Sequence, residues 1–149
     1  MRTARFAPVA TLLAAALGLV APASAADDYP PLRPGRWRFH RTVEDPATPG
    51  SKKVLDSEKC ADPVADMRAM NDQLVKIGCR FSPATREGDV YRFTATCPLP
   101  DAGEAVSVSV LTYLSAEAYD LAVEARGIPG SPSGATHEEL EARRIGDCP

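Results

Sequence analysis

The sequence lacks the motifs that mark the common enzyme classes, and it has little histidine. Its 149 residues include only His40 and His137, and histidine is the side chain that most readily takes up and releases protons near neutral pH. The G-x-S-x-G nucleophile elbow, a Gly-rich phosphate loop followed by Lys-Ser or Lys-Thr, and the H-E-x-x-H zinc motif are all absent. These absences favour a non-catalytic protein over an enzyme, and the sequence predicts neither a cofactor nor a metal.

Long apolar segments are absent beyond the N-terminus. The opening "MRTARFAPVATLLAAALGLVAPASA" has the charged, apolar and small-residue regions of a signal peptide, with Ala23 and Ala25 at an A-x-A cleavage site. A membrane anchor would need about 20 apolar residues, and Pro22 ends this run early. We therefore expect a signal peptide over 1–25, an extended lead-in over 26–34 and one domain over 35–149, in a soluble protein that is periplasmic or secreted and has no stable membrane anchor.

Basic charge is also scarce. Without Arg2 and Arg5 the chain keeps 15 basic and 20 acidic side chains, a net charge of −5. A negative domain has no general attraction to the phosphates of nucleic acid or to anionic lipid. We expect no nucleic-acid partner.

Cysteine is present in an even number, as Cys60, Cys79, Cys97 and Cys148. An even count behind an export signal predicts two disulfides. A zinc site is the alternative, but zinc ligands usually come in pairs two to four residues apart, and the gaps here are 19, 18 and 51 residues. The cysteines are therefore interpreted as two disulfides.

A hairpin around Gly88 decides their pairing. The first strand of the domain has Trp37 and Phe39 on one parity, and the same period-2 pattern flanks the turn at Glu87–Asp89. With Gly88 at the midpoint, Phe81 lies opposite Ala95, Thr85 opposite Tyr91, and Cys79 opposite Cys97. We expect the disulfides Cys79–Cys97 and, from the two that remain, Cys60–Cys148.

A second hairpin is predicted over residues 104–125, with Ala116 and Glu117 at its turn. The predicted register pairs Leu114 with Tyr119 and Val110 with Val123. In this register the apolar residues of both strands lie on the same face. A slip of one residue would turn that set to solvent, so the pattern specifies the register.

A single helix is predicted after Cys60. Asp62 can cap its first N–H groups, Pro63 suits the first helical position, and Gly78 can adopt the left-handed conformation after the last turn. Its apolar stripe recurs at helical spacing and consists of Met67, Met70, Leu74 and Ile77. We interpret the two methionines as core residues rather than as a ligand-binding groove.

These elements predict an α+β domain with an antiparallel meander of about six or seven strands, which can curl into a half barrel, one helix and two disulfides. The segment 136–145 is left open by local rules. Thr136 and Glu139 form a capping box that favours a helix, whereas alternation of Leu140 and Ala142 is a weak strand pattern.

Four features together resemble the bacterial exported family called domain of unknown function 3617. They are "RPGRW" near the start of the domain, Cys60 before a helix, Cys79 and Cys97 around "EGDVYRF", and the terminal "RRIGDC". The resemblance covers about residues 33–148. It implies an antiparallel sheet in which the last segment is a strand, and it brings no known reaction and no catalytic residues.

Two functions remain, from different classes. The first is a non-catalytic envelope module that binds a partner protein or a small apolar ligand inside a curved sheet; its lining or core residues would be the aromatic side chains Trp37, Phe39, Tyr91, Phe93, Tyr113 and Tyr119. The second is a small enzyme or anion-binding protein that uses Arg36, Arg38 and His40, since arginines can bind carboxylate or phosphate through two hydrogen bonds. A third idea, a metal site at His137 with its neighbouring glutamates, is disfavoured because adjacent strand residues point to opposite faces.

Overall fold

The computed structural model describes residues 29–100 and 103–149. The predicted signal peptide and the first three residues of the lead-in lie outside the described residues. The remaining chain forms one α-helix and eight strands, which are β1 (Gly35–Glu44), β2 (Lys53–Ala61), α1 (Pro63–Lys76), β3 (Arg80–Phe81), β4 (Thr85–Glu87), β5 (Val90–Leu99), β6 (Gly103–Ser115), β7 (Ala118–Arg126) and β8 (Ala135–Gly146).

All strands belong to one open antiparallel sheet in the order β2-β1-β8-β7-β6-β5-β3, with β4 also paired to β5. The predicted α+β class and antiparallel sheet are confirmed. There are eight strands rather than six or seven because the segment before Gly88 is split. Pro83 has no N–H to donate to a ladder, and it lies between β3 and β4.

The last segment is a strand, as the family resemblance implies. β8 pairs with β1 on one side and with β7 on the other, and Ala142 in its middle is fully buried. A central strand satisfies its backbone groups on both sides, and this outweighs the capping box at Thr136, because tertiary pairing routinely overrides local helix propensity.

The Gly88 hairpin is confirmed at its cysteine end and is wrong near its turn. Phe81 pairs with Ala95 as predicted, but Thr85 pairs with Arg92 instead of Tyr91. The pairing shifts by one residue across the interruption at Pro83, and the turn then closes tightly, with Gly88 at a φ of +59°.

The register predicted for the second hairpin is also wrong by one residue. Its turn lies at the predicted Ala116 and Glu117, with Ser115 opposite Ala118, but a β-bulge at Leu114 pairs Tyr113 with Tyr119. Because a one-residue slip exchanges the two faces of a strand, Leu114 is 50 % exposed and Leu111 is fully buried. The valines of β6 therefore face outward, and Val108 is 38 % exposed.

The core lies on one face of the sheet, between the strands and α1. Five strands each contribute one buried residue to a single cluster, which also includes Leu32 of the lead-in. In the order β1, β5, β6, β7 and β8, these residues are Trp37, Tyr91, Leu111, Tyr119 and Ala142. We call this the inner face of the sheet. Val64 and Met67 of α1 pack against this cluster, so the helix covers the inner face.

Both predicted disulfides are confirmed. Cys60 is bonded to Cys148, 88 positions further along the chain, and Cys79 is bonded to Cys97 across the β3–β5 pair. The described residues include no free cysteine.

Candidate functional site

The helix crosses the inner face from one edge of the sheet to the other. It follows β2, which is the first strand in the sheet order, and leads into β3, which is the last. Each end of this crossing is held covalently, since Cys60 precedes the cap residue Asp62 by two positions and Cys79 follows Ile77 by two. A helix fixed at both ends can stand over the sheet without filling all the space beneath it.

Local sequence sets the ends of the helix as predicted. The Asp62 carboxylate accepts a hydrogen bond from the N–H of Ala65 at 3.1 Å, Pro63 is in the first turn, and Gly78 has a φ of +96°. These are the ordinary requirements of a helix start and of a left-handed residue after the helix.

An apolar cavity of about 220 Å³ lies beneath α1. Its floor comes from β5, β6 and β7, and its roof from the helix. The lining residues are Tyr29, Met67, Met70, Asn71, Leu74, Phe81, Phe93, Ala95, Ser107, Ser109, Leu111 and Leu121. An apolar cavity with a few polar groups at its wall is the usual form of a small-ligand site; we call this one the helix cavity.

The interpretation of the helix stripe as core is wrong for two of its four residues. Met67 packs against the buried cluster, but Met70 is 57 % exposed and Ile77 is 70 % exposed. Met70 and Leu74 line the helix cavity instead of closing it, because an apolar stripe predicts which side of a helix faces the sheet but not how closely the two pack.

Tyr29 closes one side of the helix cavity. Its ring stacks on Phe93, with centroids 5.3 Å apart, and its hydroxyl accepts a hydrogen bond from the side-chain amide of Asn71. The lead-in predicted to be merely extended thus contributes a wall of the cavity.

A second, more polar pocket of about 540 Å³ is also lined by Tyr29. Its lining residues are Tyr29, Pro30, Pro31, Leu32, Asp62, Val64, Ala65, Arg68, Arg86 and Tyr91. We call it the arginine pocket. Because Tyr29 lines both, the two pockets are neighbours.

The six aromatic residues predicted to line a ligand site or form the core have different positions. Trp37 and Tyr119 are buried in the core, and Phe39 and Tyr113 pack around it. Phe93 lines the helix cavity and Tyr91 lines the arginine pocket. Burial, with a smaller contribution from the charge of Asp66, raises the pKa of Tyr119 to about 12, so its phenol stays neutral at physiological pH.

Sequence reasoning missed the polar floor of the helix cavity, which is formed by Ser107 and Ser109. The predicted register placed the valines of β6 inward and these serines outward, and the bulge at Leu114 reverses the two faces. One sequence signal could have indicated the cavity. Ser107 and Ser109 share the face of Leu111, and small side chains on the core face of a strand leave space above them.

Arg36, Arg38 and His40 lie together on the opposite, outer face of β1. Arg36 and Arg38 both bind Glu58, at 3.0 and 2.8 Å, and these contacts, led by the hydrogen bond from Arg38, lower the pKa of Glu58. The His40 Nδ1 lies 2.6 Å from the Asp56 carboxylate. Each predicted anion-binding group already has an acidic neighbour.

His137 also lies on the outer face. Its ring nitrogens are 3.3 Å from Glu124 and 3.5 Å from Glu139. Within residues 29–100 and 103–149, no group of three or more His, Cys, Asp or Glu side chains is arranged to hold a metal ion, and no helix has the length and hydropathy to cross a membrane.

The two ends of the domain meet beside the first disulfide. Arg144 donates to the Pro34 carbonyl at 3.0 Å, and a Cβ on Gly35, whose φ is +155°, would lie 2.6 Å from the carbonyl oxygen of Gly146. The "RPGRW" and "RRIGDC" segments are therefore parts of one contact.

A family model described as "Protein of unknown function (DUF3617)" matches residues 32–148, which is most of the chain. The chain belongs to the DUF3617 family. The matched range begins at Leu32 of the core cluster and ends at Cys148 of the long-range disulfide, so it includes the whole sheet and both disulfides. No curated protein and no solved structure matches the chain.

Proposed function

We propose that this DUF3617 protein is an exported, non-catalytic module of the bacterial envelope that binds a small apolar ligand in the helix cavity. The observation that carries the proposal is the apolar cavity of about 220 Å³ between α1 and the inner face of the sheet. Burying apolar ligand surface there is favourable by about 25 cal/mol per Å² before the costs of association are subtracted.

The disulfide positions support this function. A cavity in a protein core is normally removed by the collapse of neighbouring side chains, and an empty apolar cavity costs stability. Here Cys60–Cys148 and Cys79–Cys97 hold the two ends of the helix, so collapse of the helix onto Ser107 and Ser109 is restrained.

Export is supported by the sequence and by the disulfides. Residues 1–25 have the pattern of a signal peptide, and both cysteine pairs are oxidised, as is typical of proteins outside the reducing cytosol. We therefore place the ligand in the periplasm or outside the cell.

The anion-binding alternative has less support. Arg36 and Arg38 share the Glu58 carboxylate and His40 faces Asp56, so an external anion would have to compete with bonded acids on an exposed face. An envelope module could instead bind a partner protein, but the cavity favours a small molecule.

Native mass spectrometry of the protein isolated from periplasm tests the proposal. The expected result is a chain beginning at Ala26 that carries a non-covalent ligand, whose mass is lost under denaturing conditions. A chain that retains Met1 and is found only in the cytosol would overturn export. Recovery of only the ligand-free mass, together with no binding of added apolar compounds, would overturn ligand binding.

A further inference from the structure

We propose that the ligand is an amphiphile with an anionic headgroup, whose alkyl chain occupies the helix cavity and whose headgroup is bound by Arg68 and Arg86 in the arginine pocket. This inference rests on the proposed function, since it names the chemical class of the ligand of that site. The shared wall of the two pockets, formed by Tyr29, is the relationship that suggests it.

The first step of the argument is the adjacency of an apolar and a cationic space. Phe93 of the helix cavity stacks on Tyr29, with ring centroids 5.3 Å apart. The guanidinium of Arg68 lies 5.7 Å from the centroid of the same Tyr29 ring. The Tyr29 ring thus contacts both an apolar lining residue and a positive charge, an arrangement that suits a molecule with an apolar and a charged part.

The second step is the state of the two arginines. Among the described residues, neither Arg68 nor Arg86 forms an ion pair with a carboxylate, whereas Arg36, Arg38 and Arg144 all do. Both sit over aromatic rings instead, with Arg86 5.0 Å from the centroid of Tyr91. Arg86 also donates from Nε to the Gly88 carbonyl at 2.9 Å. A stacked guanidinium keeps its terminal N–H groups at the edge, where an anion can accept hydrogen bonds from them.

The third step is the charge of the arginine pocket as a whole. Among the described residues that line it, the only other side chain with a formal charge is Asp62, and that carboxylate caps α1. Two guanidinium groups against one capping carboxylate leave net positive charge in a domain that is negative overall. Carboxylate and phosphate are the groups that guanidinium binds most strongly, through paired N–H donors.

Calorimetric titration of the mature protein with decanoate and with decan-1-ol tests the inference, since the two differ in headgroup charge at about pH 7.5. We expect decanoate to bind more tightly. Arg68→Gln and Arg86→Gln should each lower decanoate affinity about tenfold, the size expected for one charged hydrogen bond, while decanol affinity stays unchanged. Decanoate binding should also weaken as salt is added.

The matched control is Arg92→Gln, because Arg92 is exposed on the outer face of β5; it should change neither affinity. Decyl phosphate as a third ligand distinguishes a phosphate from a carboxylate headgroup, and tighter binding of either over decanol supports the inference. The inference is wrong if decanol binds with the same affinity as the two anions and the arginine variants behave as wild type. The helix cavity would then bind an apolar ligand without a headgroup site. If none of the three compounds binds, the proposed function fails as well.

Discussion

The Arg144 side chain donates a hydrogen bond from Nε to the backbone carbonyl of Pro34 at 3.0 Å. The same guanidinium also binds Asp147 and lies 3.4 Å from Glu117, and the side chain is only 9 % exposed. One residue near the C-terminus therefore holds the start of β1, the β6–β7 turn and the segment that leads to Cys148.

Arg144→Lys is expected to lower the free energy of unfolding by about 2 kcal/mol. A single ammonium group cannot reach the three partners of the guanidinium at once, and the loss of one charged hydrogen bond costs about that much. Urea denaturation of the oxidised protein measures it. Arg126→Lys, an exposed position on β7, is the control and should change stability little. Equal losses for the two variants would contradict this role for Arg144.

Gly35→Ala tests the contact between the two ends of the domain. A Cβ at Gly35 would lie 2.6 Å from the Gly146 carbonyl oxygen, whereas Gly50, also at positive φ, has no atom within 4 Å of such a Cβ. Gly50→Ala should cost about 1 kcal/mol from backbone strain alone, and Gly35→Ala about 3 kcal/mol because the backbone must also shift. The comparison fails if the two variants unfold at the same urea concentration.

The two disulfides should differ in their effect on stability. In the chain-entropy model, the crosslink between Cys60 and Cys148, 88 positions apart, contributes about 4 to 5 kcal/mol, and the crosslink between Cys79 and Cys97, 18 positions apart, about 3 kcal/mol. Cys148→Ser should therefore lower the melting temperature more than Cys97→Ser. An equal fall in melting temperature for the two variants would contradict the predicted dependence on loop length.

Acid should release the loop held by Asp45. Its carboxylate accepts hydrogen bonds from Ser131 and Ser133, at 2.6 and 2.7 Å, and these bonds hold the pKa of Asp45 well below its usual value. A lowered pKa in the folded state means that the contribution to stability is present above about pH 4 and is lost as the pH falls further.

Thermal unfolding of wild type and Asp45→Asn across pH measures this effect. The gap in melting temperature should be full near neutral pH and should shrink under strongly acidic conditions. Ser133→Ala, which removes one hydroxyl donor, should show part of the same loss. A gap that is constant with pH would rule out the carboxylate charge as its source.

Much of the fold follows from local signals in the sequence. Asp62, Pro63 and Gly78 define the helix because each satisfies a requirement of its own position. The pairing of Cys79 with Cys97 follows from the alternating pattern around Gly88, which gives the correct register at that end although the pairing nearer the turn is shifted by one residue.

The bulge at Leu114 could not be predicted in this way. Its turn is held from outside the hairpin, since the carbonyls of Ala116 and Glu117 accept hydrogen bonds from the N–H groups of Arg33 and Arg144, both at 2.8 Å. Partners so distant in sequence are invisible to a pattern read along two strands. The error in register propagated to the site, because it turned Ser107 and Ser109 away from the helix cavity.

The helix cavity escaped prediction for a second reason. An apolar stripe predicts that a helix packs on a core, but it does not predict how closely. That distance is set by tertiary packing, which a local pattern does not contain, and Met70 is 57 % exposed.

The central claim is that the helix cavity binds an apolar ligand, and the most direct test is a fluorescence titration with the neutral probe N-phenyl-1-naphthylamine. Ser109→Leu fills the cavity from its floor. Val108→Leu places a leucine on the outer face of the same strand, where the residue is 38 % exposed. Circular dichroism checks that both are folded. We expect saturable binding by wild type and by Val108→Leu, and affinity at least about tenfold lower for Ser109→Leu. Absence of saturable binding by wild type, or equal binding by both variants, would contradict the account.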